Sequence, residues 1–115
     1  MKLTRLKTDT VTKMKVTLKD TAETLMSNLL RKNNYTNLRY DGKFISADSP
    51  LRKILLLVIA VRYPERHVEP SQTDLTSLKR KASEIEREAW IAFVSIDGDE
   101  IKSPINWRNL SKRSL

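Results

Sequence analysis

Three groups of side chains in this sequence are of types that could do chemistry. The first is Glu100-Ile101-Lys102, beside Asp97 and Asp99. On a strand, a carboxylate and a lysine two residues apart share a face. With a further carboxylate from a neighbouring strand they can hold Mg²⁺ and activate a water, the arrangement of metal-dependent nucleases. The remaining acids do not supply that carboxylate: Asp97 and Asp99 fall in a turn, and Glu84, Glu86 and Glu88 fall on a helical pattern. A polar hairpin tip is the simpler reading, so we expect no catalytic residue and no metal site. The second group is the lone histidine, His67, in the loop between Pro64 and Pro70. Ser71 and Thr73 lie near it but make no triad by themselves, and a solvated loop histidine is expected.

The third group is basic. Lys13, Lys15 and Lys19 alternate with Met14, Val16 and Leu18. Lys79-Arg80-Lys81 form a run within a helical pattern, and Trp107, Arg108, Lys112 and Arg113 lie close together near the end. An aromatic beside cations can stack a base and grip a phosphate. These ten Lys, Arg and Trp residues are the expected nucleic-acid-binding set.

The distribution of charge supports that choice. Of a net charge of +8, residues 1–20 hold six Lys/Arg against two Asp, and residues 102–115 hold four Lys/Arg and no acid. The stretch between is balanced, with twelve basic and twelve acidic residues. Basic ends on a neutral middle favour contact with polyanions. Other classes are excluded or disfavoured. The two glycines, Gly42 and Gly98, each follow an aspartate in a turn, which leaves no glycine-rich loop to cradle a nucleotide phosphate. Without cysteine there is no disulfide, thiolate metal site or cysteine nucleophile. The apolar run at 54–61 is too short to span a bilayer, and no secretory signal opens the chain.

The elements that must position these groups follow from periodicity. The alternation over 12–19 predicts a half-buried strand with a basic outer face. Asp20 with Glu23 forms a capping box, and Ala22, Leu25, Met26, Leu29 and Leu30 continue a helix that ends at Asn33-Asn34. Residues 36–40 and 43–46 flank Asp41-Gly42 as a hairpin with a two-residue turn, which sets Leu38 opposite Ile45 and Arg39 opposite Phe44. Ser49-Pro50 reads as the cap and first position of a second helix, running to about Tyr63; the rival is a buried strand. A third helix is expected from about Asp74 to Ala89. Its seam of Leu75, Leu78, Ala82, Ile85 and Ala89 suits the domain's own sheet better than a dimer. In that helix Lys79-Arg80-Lys81 precede Glu84, Glu86 and Glu88, against the preference of the helix dipole, which hints at a binding role. Residues 90–96 form an inner strand with Ile91 and Phe93 on one face and Ala92, Val94 and Ile96 on the other. Asp97-Gly98 returns it as an edge strand limited by Pro104.

The expectation is therefore one α+β domain over residues 1–104, of order β-α-β-β-α-α-β-β, with three helices on one face of a mostly antiparallel sheet. A basic tail, 105–115, follows. The expected function is non-enzymatic nucleic-acid binding without a cofactor, in the cytoplasm or nucleus, with RNA, DNA or an acidic protein surface as partner. The alternative is a protein-interaction module, of the kind phage and viral accessory factors provide. It would act through the final edge strand or a dimer seam of Leu75, Leu78, Ala82 and Ile85.

Overall fold

The computed structural model describes residues 17–111. The strand expected over 12–19 lies outside these residues up to position 16, and its last residues belong to a helix instead. Helix α1 (Leu18–Lys32) is capped by Thr17, whose side chain accepts from the backbone N–H of Asp20 while the Asp20 carboxylate accepts from that of Thr17. The capping box is real but begins three residues before the expected one. Asn33 is the C-cap, and Asn34 takes the left-handed conformation at φ 71°. Tyr35 N–H reaches the Leu30 carbonyl at 2.9 Å and Asn34 N–H that of Arg31 at 3.1 Å, which closes a Schellman motif.

Strands β1 (Thr36–Tyr40), β2 (Ile45–Asp48) and β3 (Lys53–Arg62) form an antiparallel meander. The first hairpin differs from expectation in its turn. Asp41 Oδ1 accepts from the backbone N–H of Lys43 at 2.9 Å and of Phe44 at 2.8 Å, so the loop takes in residues 41–44. Arg39 then faces Ser46 and Tyr40 faces Ile45. The register is two residues from the expected one because an Asx turn replaces the two-residue turn.

β3 corrects the sequence reading most. It was expected as a helix; it is the strand that was the rival reading. Ser49-Pro50 forms the β2–β3 turn rather than a helix start: Ser49 Oγ accepts from Leu51 and Arg52 N–H, and Ser49 N–H donates to the Arg52 carbonyl at 2.8 Å. An apolar run rich in Ile and Val, with no polar face, is what a strand covered on both sides requires.

Helix α2 (Gln72–Glu84) is capped by Ser71 and stops five residues before the expected end. Arg87 N–H bonds the Ala82 carbonyl at 2.8 Å and Glu86 N–H that of Ser83 at 3.2 Å, with Glu86 at φ 56°. This is a second Schellman motif, with Glu where Gly or Asn is usual. Strand β4 (Glu88–Asp97) runs parallel to β3, and β5 (Glu100–Asn109) returns antiparallel at the edge. Asp97 pairs with Glu100, so the turn residues are Gly98 and Asp99; Gly98 has φ 68° and Asp99 is not left-handed. That is the II′ pattern, one residue on from the expected turn. β5 passes Pro104 because the ladder bulges there: Phe93 pairs with Asn106 but Ser95 with Lys102. An edge strand with a bulge tolerates a residue that has no N–H. Residues 105–109, expected in the tail, are thus part of the sheet.

The architecture is α+β: the described residues form a five-stranded mixed sheet of order β1-β2-β3-β4-β5 and two helices, in the sequence α-β-β-β-α-β-β. Three of its four pairings are antiparallel, as expected. The helices do not share a face. Met26 and Leu30 of α1 pack with Ile54, Leu56, Val58, Ala92, Val94 and Ile96, and Leu78 and Ala82 of α2 pack with Phe44, Leu55, Leu57, Ile91 and Phe93. The two faces read from the sequence of β4 are therefore both real, each under its own helix. Leu78 and Ala82 of the proposed dimer seam are buried on the sheet, Leu75 is partly buried there, and Ile85 alone is exposed.

Candidate nucleic-acid interface

The chain has two tryptophans, and the sheet brings them together. Trp107 on β5 faces Ala92, one step along the same side of β4 from Trp90. The rings meet edge to face, with centroids 6.3 Å apart at 82°. They wall a cleft of about 550 Å³ at the C-terminal end of α1, with Leu29, Leu30 and Ile54 as its apolar lining and Tyr35, Asn33 and Arg52 around them. Trp107 remains 39% exposed.

A polar hub fixes the inner wall. Trp90 Nε1–H donates to Glu88 Oε1 at 2.9 Å, and Arg52 Nη1 donates to the same oxygen at 3.2 Å. The Arg52 guanidinium also lies 5.6 Å from the Trp90 ring centroid, within cation–π range. Arg52 lines a second hollow of about 500 Å³ beyond the cleft, formed by the β2–β3 turn and the start of β4, together with Lys53, Ser49, Glu86, Arg87 and Glu88. Arg87 there is structural. Its Nη1 donates to Asp48 Oδ1 at 2.6 Å and to the carbonyls of Ala47 at 3.1 Å and Ile54 at 3.4 Å, tying the end of α2 to the middle of the sheet. Hydrogen bonds from Asn37 and Arg87 hold the Asp48 carboxyl below its ordinary pKa.

The α2 face is different in kind, because its charges are paired. Lys43 meets Asp74 at 2.7 Å and Lys81 meets Asp41 at 3.8 Å, so the first Asp-Gly loop is clamped to α2. The hydrogen bond from Lys43 lowers the Asp74 pKa. Partial burial pushes the Asp41 carboxyl up, but the N–H groups of Phe44 and Lys43 outweigh it and the net shift is down. Arg108 grips Glu69 with two bonds, of 2.7 and 3.0 Å, and lies 4.8 Å from the Phe93 ring centroid. This fork lowers the Glu69 pKa and raises that of Arg108.

The expected residues are thus divided. Lys13, Lys15, Lys112 and Arg113 lie outside the described residues. Lys19, on α1, bonds Glu23 at 2.8 Å and the Tyr40 hydroxyl at 3.0 Å. Burial lowers its pKa, the two partners raise it, and the net shift is up. Lys79 and Arg80 are exposed on α2, and Lys81 is in that helix's last turn. The dipole mismatch shrinks, because Glu86 and Glu88 are beyond the helix and Lys81 sits where the dipole favours a cation, although Glu84 remains its last residue. Trp107 and Arg108, neighbours in sequence, point to opposite faces. The companions of Trp107 are Trp90, Arg52 and Tyr35, which the sequence reading did not select. The one signal for Trp90 was its place at the start of a strand whose hairpin partner carries the other tryptophan.

His67 is not simply solvated. Its Nε2–H donates to the Val94 carbonyl at 2.9 Å, an acceptor exposed by the β5 bulge, and its ring meets Phe93 edge-on at 5.6 Å. Glu100 stands at the hairpin tip, and Lys102 Nζ lies 4.9 Å from the Tyr63 ring centroid. Among the described residues no three His, Asp or Glu side chains gather as a metal site would require, and no helix is long and apolar enough to cross a membrane.

No protein-family model matches this sequence, and no curated protein is significantly similar to it. The functional reading therefore rests on the chain's own residues.

Proposed function

We propose that this protein binds single-stranded nucleic acid without acting as an enzyme on it: bases stack in the Trp90–Trp107 cleft, and the basic terminal segments attract the backbone. The observation that carries the reading is the meeting of both tryptophans in one partly exposed cleft with a guanidinium at its rim. Base–aromatic stacking is sequence-tolerant and needs an unstacked base, which favours single strands over duplex. Charge supports it. The described residues hold fifteen Lys/Arg against thirteen Asp/Glu, so most of the +8 belongs to residues 1–16 and 112–115. Flanking cations on a nearly neutral body suit non-specific attraction to a strand that the cleft then engages. The absence of cysteine suits a cytoplasmic or nuclear setting.

Titration with single-stranded and duplex RNA and DNA of equal length, at two salt concentrations, tests this reading. Tryptophan emission should fall on binding single strands, and affinity should drop steeply with salt. Unchanged emission and no binding at low salt overturn it.

One observation favours a second reading. β5 runs along the sheet edge from Glu100 to Asn109, and a partner strand could add there. Partners recovered from a lysate after nuclease treatment, and lost when Asn106 is replaced by Pro, would support a protein-interaction module instead.

A further inference from the structure

We infer that the hollow next to the tryptophan cleft holds the phosphate belonging to the stacked base, and that Glu88 occupies Arg52 in the phosphate's place until the strand binds. This rests on the base-stacking reading above and names how that site grips the backbone. Among the described residues, Arg52 is the one cation that lines both hollows. It stands at the boundary between an aromatic wall, 5.6 Å from the Trp90 centroid, and a polar hollow whose charged lining is Lys53, Arg87, Glu86 and Glu88 besides Arg52 itself. A nucleotide has the same two parts in the same order, a flat ring and an anion a few ångströms away. Arg87 is committed to Asp48 and two carbonyls, so the cations of this hollow that can turn to an incoming anion are Arg52, by releasing Glu88, and the exposed Lys53.

The Arg52–Glu88 pair is built to be exchanged. It is a single contact of 3.2 Å between half-exposed side chains, well short of the fork that Arg108 makes on Glu69. A phosphate offers a guanidinium two oxygens and a bidentate geometry, which a single long bond to a carboxylate does not match. Glu88 is not left without a partner by the exchange, because Trp90 Nε1–H still donates to it. The same bond keeps the Trp90 ring in position for the base. Glu88 therefore has two roles: it orients Trp90 and it competes with the ligand for Arg52.

The test uses the full chain and a single-stranded uridine decamer, with affinity measured across a salt series. Arg52→Gln should weaken binding by about tenfold at low salt, as expected for loss of one charge-assisted contact. It should also reduce the slope of log affinity against log salt by about 0.7, the share of one phosphate on a single strand. Arg52→Lys should keep the slope. Glu88→Gln preserves an acceptor for Trp90 while removing the competitor, and should tighten binding about threefold, the scale of one exposed ion pair. A wild-type slope in Arg52→Gln, or unchanged or weaker binding in Glu88→Gln with its folded circular-dichroism spectrum intact, overturns the inference. Failure of the base-stacking reading looks different: wild-type protein neither binds the decamer nor changes its emission.

Discussion

The two faces of the sheet are built on the same plan and finished differently. Each carries one helix, one run of alternate residues from β3 and β4, and one aromatic cluster. On the α2 face three cations are paired: Lys43 with Asp74, Lys81 with Asp41 and Arg108 with Glu69. Its aromatic, Phe93, is buried, with Arg108 and His67 laid over it. On the α1 face a cleft lies open at the C-terminal end of the helix. Trp90 and Trp107 stay partly open, and the nearby Arg52 is held by one exposed ion pair and by the face of the Trp90 ring. The difference teaches that the basic residues conspicuous in the sequence are not equivalent. Lys81 and Arg108 are tied into the fold and Lys79 and Arg80 are simply exposed, while Arg52, unremarkable in the sequence, stands where a ligand can use it.

Substitutions can break this comparison. The largest effect is expected from Leu78→Ala, which empties a fully buried position under α2. It should cost about 2–5 kcal/mol of stability, read by denaturant unfolding, yet leave the folded protein's affinity for a single strand unchanged. Altered affinity in the folded variant would join the two faces functionally and end the distinction. Next is Trp107→Ala on the other face. It should weaken single-strand binding by about 1–3 kcal/mol, with a much smaller loss of stability because the side chain is already part exposed. An intermediate effect is expected from acid. Asp41, Asp48, Asp74 and Glu69 all have folded pKa values below their ordinary ones. Their contribution is present above the unfolded carboxylate range near pH 4 and is lost as pH falls through the lower folded values. Circular dichroism below about pH 4 should therefore show destabilisation, smaller in a variant that already lacks Asp48, such as Asp48→Asn. The smallest effect is expected from the double change Lys79→Gln and Arg80→Gln. Single-strand affinity should fall by less than about threefold, the scale of remote exposed charges under screening. A loss as large as that of Trp107→Ala would move the binding surface to α2.

The sequence announced some of this plainly and hid the rest for identifiable reasons. Local chemistry was legible: Asn33-Asn34 closing α1, the alternation of β4, the places though not the types of the two glycine turns, and the edge position of the last strand. Errors arose where one signal serves two structures. Ser49-Pro50 suits a helix start and a tight turn equally, and the apolar run after it has no period to separate buried strand from buried helix. Glu86 in a left-handed C-terminal position leaves no glycine to mark the end of α2, and the false extension generated the false dipole argument. The cleft was illegible for a different reason. Its parts, Tyr35, Arg52, Trp90 and Trp107, come from four segments, and they become neighbours only through the parallel pairing of β3 with β4 and the bulged register of β5.

That parallel pairing also sets a schedule for the growing chain. The meander of β1, β2 and β3 is complete once residue 62 has been made, yet the partner of β3 spans Glu88–Asp97. At ordinary rates of synthesis the gap lasts on the order of seconds. Throughout it, the run Ile54–Val61 presents an unpaired apolar edge and one uncovered face to the cell. Low-temperature expression, or a holdase present during translation, should raise the yield of this protein more than that of a purely antiparallel sheet of equal size.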